Sequence, residues 1–478
     1  MNNIYNTLIN AAKNWPNQTA IFDEYGSLTY SELFAQTELL KDYLKSRGVS
    51  SGIGVGIITS NSRYFIISLY ASVGCNAVAM PISHQQKERE IINALEDAKI
   101  HLIISDSEQH ASVGENSNRI SLFDDPLFIS QTKRSEKDPV VDFMEDIAFM
   151  RFTSGTTGKA KGVLISHTSA LERVDAANEQ LQLSENDRVV WVLPMAYHFV
   201  VSIVLYIKYG VGIIVNTNFL AESIIESVLD KKGTFLYASP MHIKLLASYA
   251  PQIELPGLTK VVSTTTAISV EICNAFEKKY SISVSQAYGI IEIGLPILNL
   301  KRSKEFPEAV GYALPAYDVE ILDADMNPLP DDQIGLLGIK GPGMFDGYLS
   351  PPVLKKDVLK NGWFMTGDYA VRKKDGLIII KGREKNVINV SGNKVFPDEI
   401  EEIINTYKGV KNSKAFAKVH PLMGEVVAVE IEVEKNQEID KEALISYCRK
   451  GLSAFKLPQF ITIVDEIELT GSGKIKRV

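Results

Sequence analysis

Phe152-Thr153-Ser154-Gly155-Thr156-Thr157-Gly158-Lys159-Ala160-Lys161-Gly162 is the stretch on which the reading of this chain turns. Its glycines let backbone N–H groups converge on an anion. Its threonines and serine add hydroxyl donors, and its lysines add charge. An oligophosphate is the natural ligand of such a stretch. It is not a Walker A loop, which requires G-x-x-x-x-G-K-[ST]. The same composition also suits a solvated turn, so the surroundings must decide.

Outward from it, short apolar runs alternate with amphipathic segments. Gly54 to Thr59, Ala77 to Ile82 and Ile100 to Ser105 read as buried strands, with Lys87 to Ala98 helical between the last two. Further strands are expected at Val189 to Leu193, Gly212 to Asn216, Thr234 to Ala238, Lys260 to Ser263 and Ile282 to Ser285. Helices are expected at Glu222 to Asp230 and Val270 to Lys279. This alternation predicts an α/β fold, with mostly parallel sheets flanked by helices. Ligands of such sheets sit beyond the carboxyl ends of the strands. His198, Pro240, Thr264 and Tyr288 all lie just after expected strands. The polar stretch Ser107 to Pro139 reads as surface loop.

Near Lys381 the texture changes. Ile388 to Val390 is strand-like. Pro397 opens a helix whose first turn carries Asp398 and Glu399, matching the positive helix N-terminus. Val427, Val429, Ile431 and Val433 alternate with glutamates, as in a strand with one wet face. Lys441 to Arg449 reads as a helix and Phe460 to Val464 as a strand. A small α+β domain thus follows a large α/β domain, with the boundary near Gly382 to Asn386.

The 478 residues are 45% hydrophobic and 23% charged, which is ordinary globular usage and excludes a disordered, coiled-coil or collagen-like chain. With 50 basic against 58 acidic residues, nothing advertises a nucleic-acid surface. Cys75, Cys273 and Cys448 lack C-x-x-C spacing, so a disulfide framework and a zinc site are not expected, and a reducing cytoplasm fits. Met1 to Ala20 carry neither a basic nor an apolar signal region. Trp191 to Val215 is apolar, but Pro194, His198, Lys208, Gly210 and Gly212 interrupt it. Strand, helix and strand fit it better than a transmembrane segment.

The quoted stretch resembles the phosphate-binding signature of the adenylate-forming superfamily, which includes acyl-CoA synthetases, aryl-acid ligases, peptide-synthetase adenylation domains and firefly luciferase. Other segments repeat the resemblance in the family's order. Asn17-Gln18-Thr19-Ala20-Ile21 with Leu28-Thr29-Tyr30 is similar to the usual opening. Leu193 to His198 resembles P-x-x-x-H, Tyr288 to Glu292 resembles Y-G-x-T-E, and Gly343 to Tyr348 resembles G-x-x-x-G-Y. Thr366-Gly367-Asp368, Gly382-Arg383 and Gly471-Ser472-Gly473-Lys474 complete the set. The match runs over essentially the whole chain.

The resemblance implies a large ATP- and acid-binding domain over 1–383, a small mobile lid domain over 386–478 and a hinge near 384–386, with Lys385 as hinge residue. It implies ATP-dependent conversion of a carboxylic acid to acyl-AMP with release of pyrophosphate. Acyl transfer to a phosphopantetheine thiol follows, of CoA or of an acyl carrier protein. Thr153, Ser154, Gly155, Thr156, Thr157, Gly158 and Lys161 would cradle phosphates. Tyr288 with Gly289 would stack on adenine, Asp368 would bind the ribose hydroxyls, and Arg383 would contact ribose or phosphate. Glu292 would hold Mg²⁺, and Lys474 would reach the α-phosphate and the carboxylate during adenylation. His198, Thr264, Thr265 and Ala287 would line the acid pocket. His198 is a gate, a wall or a purely structural histidine. Candidate catalytic residues are therefore Lys474, Glu292 and His198.

Three positions depart from the family's pattern. Ile291 stands where Y-G-x-T-E has threonine, so one hydroxyl is missing. Ala160 replaces a frequent proline. Ser263-Thr264-Thr265-Thr266-Ala267 replaces a Gly-Gly-Ala-type segment, and its added side-chain bulk predicts a small or unusually shaped acid. Tyr197, Phe199, Val200 and Val201 offer no carboxylate for a substrate ammonium, which disfavours an α-amino acid. Val390 to Pro397 is similar to acyl-CoA synthetases and tilts the acceptor towards CoA. A stand-alone ligase loading a carrier protein in secondary metabolism, and a non-catalytic nucleotide or acyl binder, are the competing readings.

Overall fold

The computed structural model describes residues 3–123, 125–135, 137–153, 161–420, 424–469 and 475–477. The chain packs as two compact units. One comprises Met1–Pro307, Ala313–Asp318 and Lys340–Gly362, the other Glu308–Tyr312, Val319–Ile339 and Trp363–Val478.

In the first unit the expected apolar runs form the interiors of two sheets. One is ordered Gly294–Leu298, Val284–Ile290, Lys260–Ser263, Phe235–Ala238, Arg188–Trp191, Gly212–Val215, Thr19–Asp23, Gly26–Thr29. Its middle strands pair in parallel. The strands at Gly212–Val215 and Lys260–Ser263 are wholly or almost wholly buried, so their sequences are continuous apolar runs rather than alternations. The other sheet is ordered Val353–Leu354, Gly347–Tyr348, Lys161–Ser166, Ile147–Thr153, Val78–Pro81, Gly54–Ile58, Leu102–Ser105, Asp125–Gln131, Glu115–Leu122. Residues 191–215 run as strand, two short helices and strand. No described helix is long and apolar enough to cross a membrane.

The segment 107–139 departs from expectation. It carries a helical turn at Glu108–Ala111 and an antiparallel hairpin of Glu115–Leu122 with Asp125–Gln131, which extends the second sheet. Glu115–Leu122 is the edge strand and largely exposed. A polar strand suits that place, because solvated side chains there discourage further pairing. Its composition therefore imitates a loop.

The second unit holds an antiparallel sheet of Asp318–Leu322, Ile334–Lys340, Phe364–Arg372 and Ile378–Arg383. It also holds a five-stranded sheet centred on Gly424–Val433. The helix Pro397–Asn405 buries Ile400 and Ile404 against Val427, Val429 and Ile431 of that strand. The alternation of this strand is real, but its second face is not simply wet. Val426, Ala428 and Glu432 are buried, and Glu432 is paired with Lys411. Its long partner Val410–His420 escaped the sequence reading, because its inward residues include the small Ser413 and Ala415.

Candidate active site

Strand register fixes both flanks of the quoted stretch. Thr153 lies opposite Lys161 where Ile147–Thr153 pairs with Lys161–Ser166. Ser154, Gly155, Thr156, Thr157, Gly158 and Ala160 lie outside the described residues. A Cβ on Gly162 would stand 3.0 Å from the Phe152 ring, so only glycine lets the strand pass there unmoved.

Lys161 Nζ lies 4.9 Å from the centroid of the Tyr348 ring, an attractive cation–π distance. The Tyr348 hydroxyl donates to Glu292 Oε1 at 3.2 Å. Burial and the neighbouring Glu292 push this phenol well above its ordinary range. The backbone N–H of Phe345 donates to the Glu292 carbonyl at 2.7 Å. Strand Gly347–Tyr348 pairs with Lys161–Ser166. One sheet edge thus gathers a lysine, a tyrosine and a carboxylate from three distant parts of the sequence.

The Tyr288–Glu292 segment does not simply follow a strand, as expected; Tyr288 lies within one. Val284–Ile290 pairs in parallel with Lys260–Ser263 up to Gln286 and then turns into an antiparallel hairpin with Gly294–Leu298. Ala287 and Tyr288, both half-buried, face Leu298 and Ile297 in that hairpin. A Cβ on Gly289 would meet the Gly294 carbonyl oxygen at 2.4 Å, so the position admits only glycine. Buried Arg173 braces the turn. Its Nη1 donates to the Ile291 carbonyl at 2.9 Å and its Nε to the Gly343 carbonyl at 2.8 Å. Glu172 accepts from the Gly343 N–H at 2.9 Å. Sequence reading missed this brace, since nothing in the helix His167–Leu181 singles Arg173 out.

His198 closes the short helix Met195–His198 and is half-buried. Asn61 pins that segment, accepting from the Met195 N–H and donating to the Leu193 carbonyl, each at 2.8 Å. Phe199 is buried and packs edge-on against Phe149, with ring centroids 4.8 Å apart. Thr264 is buried, its N–H donates to the Ala238 carbonyl at 2.9 Å, and its side chain hydrogen-bonds the half-buried Tyr237. Thr265 has φ +79°, a left-handed conformation rare for a β-branched residue.

Arg151 also went unnoticed, inside the strand Ile147–Thr153, which the sequence reading did not single out. Its Nη1 donates to the Tyr197 carbonyl, and its guanidinium lies 4.9 Å from the centre of the Tyr197 ring. Burial pushes it down to about 10, so it stays charged at neutral pH. Its Nε is buried with no acceptor.

In the second unit, Asp368 and Arg383 face each other across adjacent strands, with Arg383 Nε 2.9 Å from Asp368 Oδ1. Arg383 Nη1 donates to the Thr366 carbonyl at 2.9 Å. Gly367 between them has φ +72°, which glycine adopts freely. Lys385 is exposed in the single 3₁₀ turn Glu384–Asn386. Partial burial, then Arg383 and Arg477, lowers its ammonium below the ordinary range. Lys474 lies outside the described residues. Its described neighbours are well anchored. Leu469 bridges to Ile475, and the Lys476 N–H donates to the Glu468 carbonyl at 2.8 Å. Arg477 Nη2 lies 2.9 Å from Asp398 and 2.6 Å from Glu401, while Nη1 donates to the Ala415 carbonyl at 2.9 Å.

Among the described residues no three His, Cys, Asp or Glu side chains cluster as a metal site. Glu292 offers one carboxylate. That donor set fits Mg²⁺, which is commonly held by one or two carboxylates plus substrate phosphates.

The sequence profile of the AMP-binding enzyme family matches residues 8–349, and that of the AMP-binding enzyme C-terminal domain matches residues 399–474. Feruloyl-CoA synthase of Amycolatopsis sp is 24% identical over 98% of this chain and 96% of its own. Oxalate--CoA ligase of Arabidopsis thaliana is 26% identical over 98% and 96%. The crystal structure of ATP-bound MatB from Rhodopseudomonas palustris superposes with a TM-score of 0.84 at 21% identity, covering 99% of this chain and 97% of that one, and so shares its fold. The chain belongs to the AMP-binding enzyme family, the adenylate-forming superfamily whose motifs it carries in order.

Proposed function

We propose that the protein activates a small carboxylic acid with ATP and passes the acyl group to a thiol, as an AMP-forming acid–thiol ligase. Family membership over both parts of the chain carries this reading, and the grouping of Lys161, Glu292 and Tyr348 supports it. The curated relatives include CoA ligases, which favours CoA over a carrier protein as acceptor. We place the enzyme in the cytoplasm, where CoA and ATP are available.

A carboxylate resists thiol attack because oxide is a poor leaving group. Attack of a carboxylate oxygen on the α-phosphorus forms a C–O–P bond and breaks the bond to pyrophosphate. The thiol then attacks the acyl carbon, the C–O bond to AMP breaks, and AMP leaves with the electron pair. Both carboxylate and triphosphate are anionic, so the first step needs positive charge at their meeting point. Lys161 and the backbone N–H groups around Gly155 and Gly158 screen the outer phosphates. Lys474 neutralises charge where carboxylate and α-phosphate meet. Glu292, oriented by Tyr348, would hold Mg²⁺, which would offset the charge of the phosphates. Tyr288 stacks on adenine, and Asp368 with Arg383 receives the ribose. Turning of residues 386–478 about Lys385 withdraws Lys474 and admits the thiol.

Pyrophosphate release across a panel of acids, followed by acyl-CoA analysis, tests the activity. Release by no acid would favour a non-catalytic binder, and acyl transfer only to a carrier protein would reassign the acceptor. Lys474→Ala is expected to slow adenylation by at least about 100-fold. Thioester formation from synthetic acyl-adenylate should then stay within about threefold of the parent. Equal loss of both steps would remove Lys474 from its role.

A further inference from the structure

We propose that Arg151 selects the acid by receiving a second anionic group on the substrate, remote from the carboxyl that is adenylated. The inference rests on the acid-activating reading and names the class of acid. Side chains alternate along a strand, so Phe149 and Arg151 share one face of Ile147–Thr153. Thr153 opens the hydroxyl-rich stretch. Phe149 packs on Phe199 in the expected acid wall. Arg151 therefore shares a face with that aromatic wall, two residues before the hydroxyl-rich stretch begins in sequence. The Tyr197 ring and carbonyl hold it in the segment that ends at His198.

What it lacks is a counter-ion. Among the described residues no carboxylate forms an ion pair with it. Glu292 is near enough for its charge to be felt, but its Oε1 accepts the Tyr348 hydroxyl. Arg63 is paired with Asp23, and Arg477 with Asp398 and Glu401, whereas buried Arg173 is held by two backbone carbonyls, at its Nε and Nη1. An uncompensated guanidinium against apolar surface is costly, and a carboxylate repays that cost with strong, directional hydrogen bonds. An acid with a hydrocarbon tail would leave the cost unrelieved. The reacting carboxyl is a poor occupant, since it loses its charge in the first step.

The test uses acids matched in length: glutarate against valerate, and 4-carboxybenzoate against 4-methylbenzoate. Pyrophosphate release is measured with the parent enzyme, Arg151→Met and Arg151→Lys, and acid binding is measured directly by calorimetry. The parent is expected to prefer the diacid of each pair. Arg151→Met should lower kcat/KM for diacids by about 100-fold, leave the monoacids unchanged or improved, and leave the KM for ATP unchanged. Arg151→Lys should recover part of the loss. A parent that prefers monoacids, equal loss for all acids, or a change confined to the KM for ATP would each overturn the proposal. Failure of the activity itself reads differently. Diacid binding that depends on Arg151, without pyrophosphate release by any acid, would keep the selector and sink the ligase.

Discussion

Arg63 and Arg151 are both interior arginines of the same unit, and they are served in opposite ways. Arg63 is almost sealed, and its side chain meets Asp23 through Nε at 2.9 Å and Nη2 at 2.5 Å. Its own backbone N–H also donates to Asp23, at 3.0 Å, and Nη2 reaches the Gly26 carbonyl at 3.0 Å. That site is complete within the chain. Arg151 has one carbonyl, one aromatic face and an unanswered Nε. A closed charge pair holds a fold together. A charge left without a carboxylate partner can be answered by a ligand from outside.

The contrast predicts a ranking of stability effects. Asp23→Ala should be the most damaging, costing about 3–5 kcal/mol in denaturant unfolding because Arg63 is left buried and alone. A loss below about 1 kcal/mol would mean that the pair is not closed.

Next in size is a pH effect at His242, a buried group kept neutral. Its Nδ1 lies 2.7 Å from Ser239 Oγ, its Nε2 is buried without an acceptor, and burial pushes its pKa down to about 4. A histidine depressed in the fold contributes stability that is full above its unfolded value near 6.5 and lost as pH falls towards 4. Unfolding profiles of the parent and His242→Asn should therefore converge between pH 6.5 and 4, by about 3 kcal/mol. Parallel profiles would deny the burial of His242.

Arg477→Met should cost about 2 kcal/mol, since Asp398 and Glu401 would lose their partner. It should also strip hydrogen-exchange protection from the Lys476 amide, an effect independent of activity. Intact protection would show that Arg477 does not anchor that segment. Smallest of all, Arg151→Met should shift stability by less than about 1 kcal/mol, or raise it, because an unpaired charge is replaced by a packed side chain. A large loss would make Arg151 a second Arg63.

Much of the fold was legible in sequence because both faces of its parallel strands are covered. Gly212–Val215 and Lys260–Ser263 are unmistakable as apolar runs. The hairpin within 107–139 and the strand Val410–His420 were not legible, one being a polar edge and the other turning small residues inward. Of the candidate site, Glu292, Asp368 and Arg383 were proposed from motif order. Their partners could not: Tyr348 meets Glu292 only through strand pairing, and Arg477 meets Glu401 only after the terminal segment folds back. Arg151 was concealed by apolar neighbours, although a lone arginine in Ile-Ala-Phe-Met-Arg-Phe is itself a signal.

Thr265 carries an evolutionary implication. A branched residue held at φ +79° stores backbone strain, of the order of 1–3 kcal/mol, that glycine would release. If its side chain also crowds the acid, replacement by glycine would widen the cleft and steady the chain in one mutation. A lineage drifting towards bulkier acids could take that step without first surrendering stability.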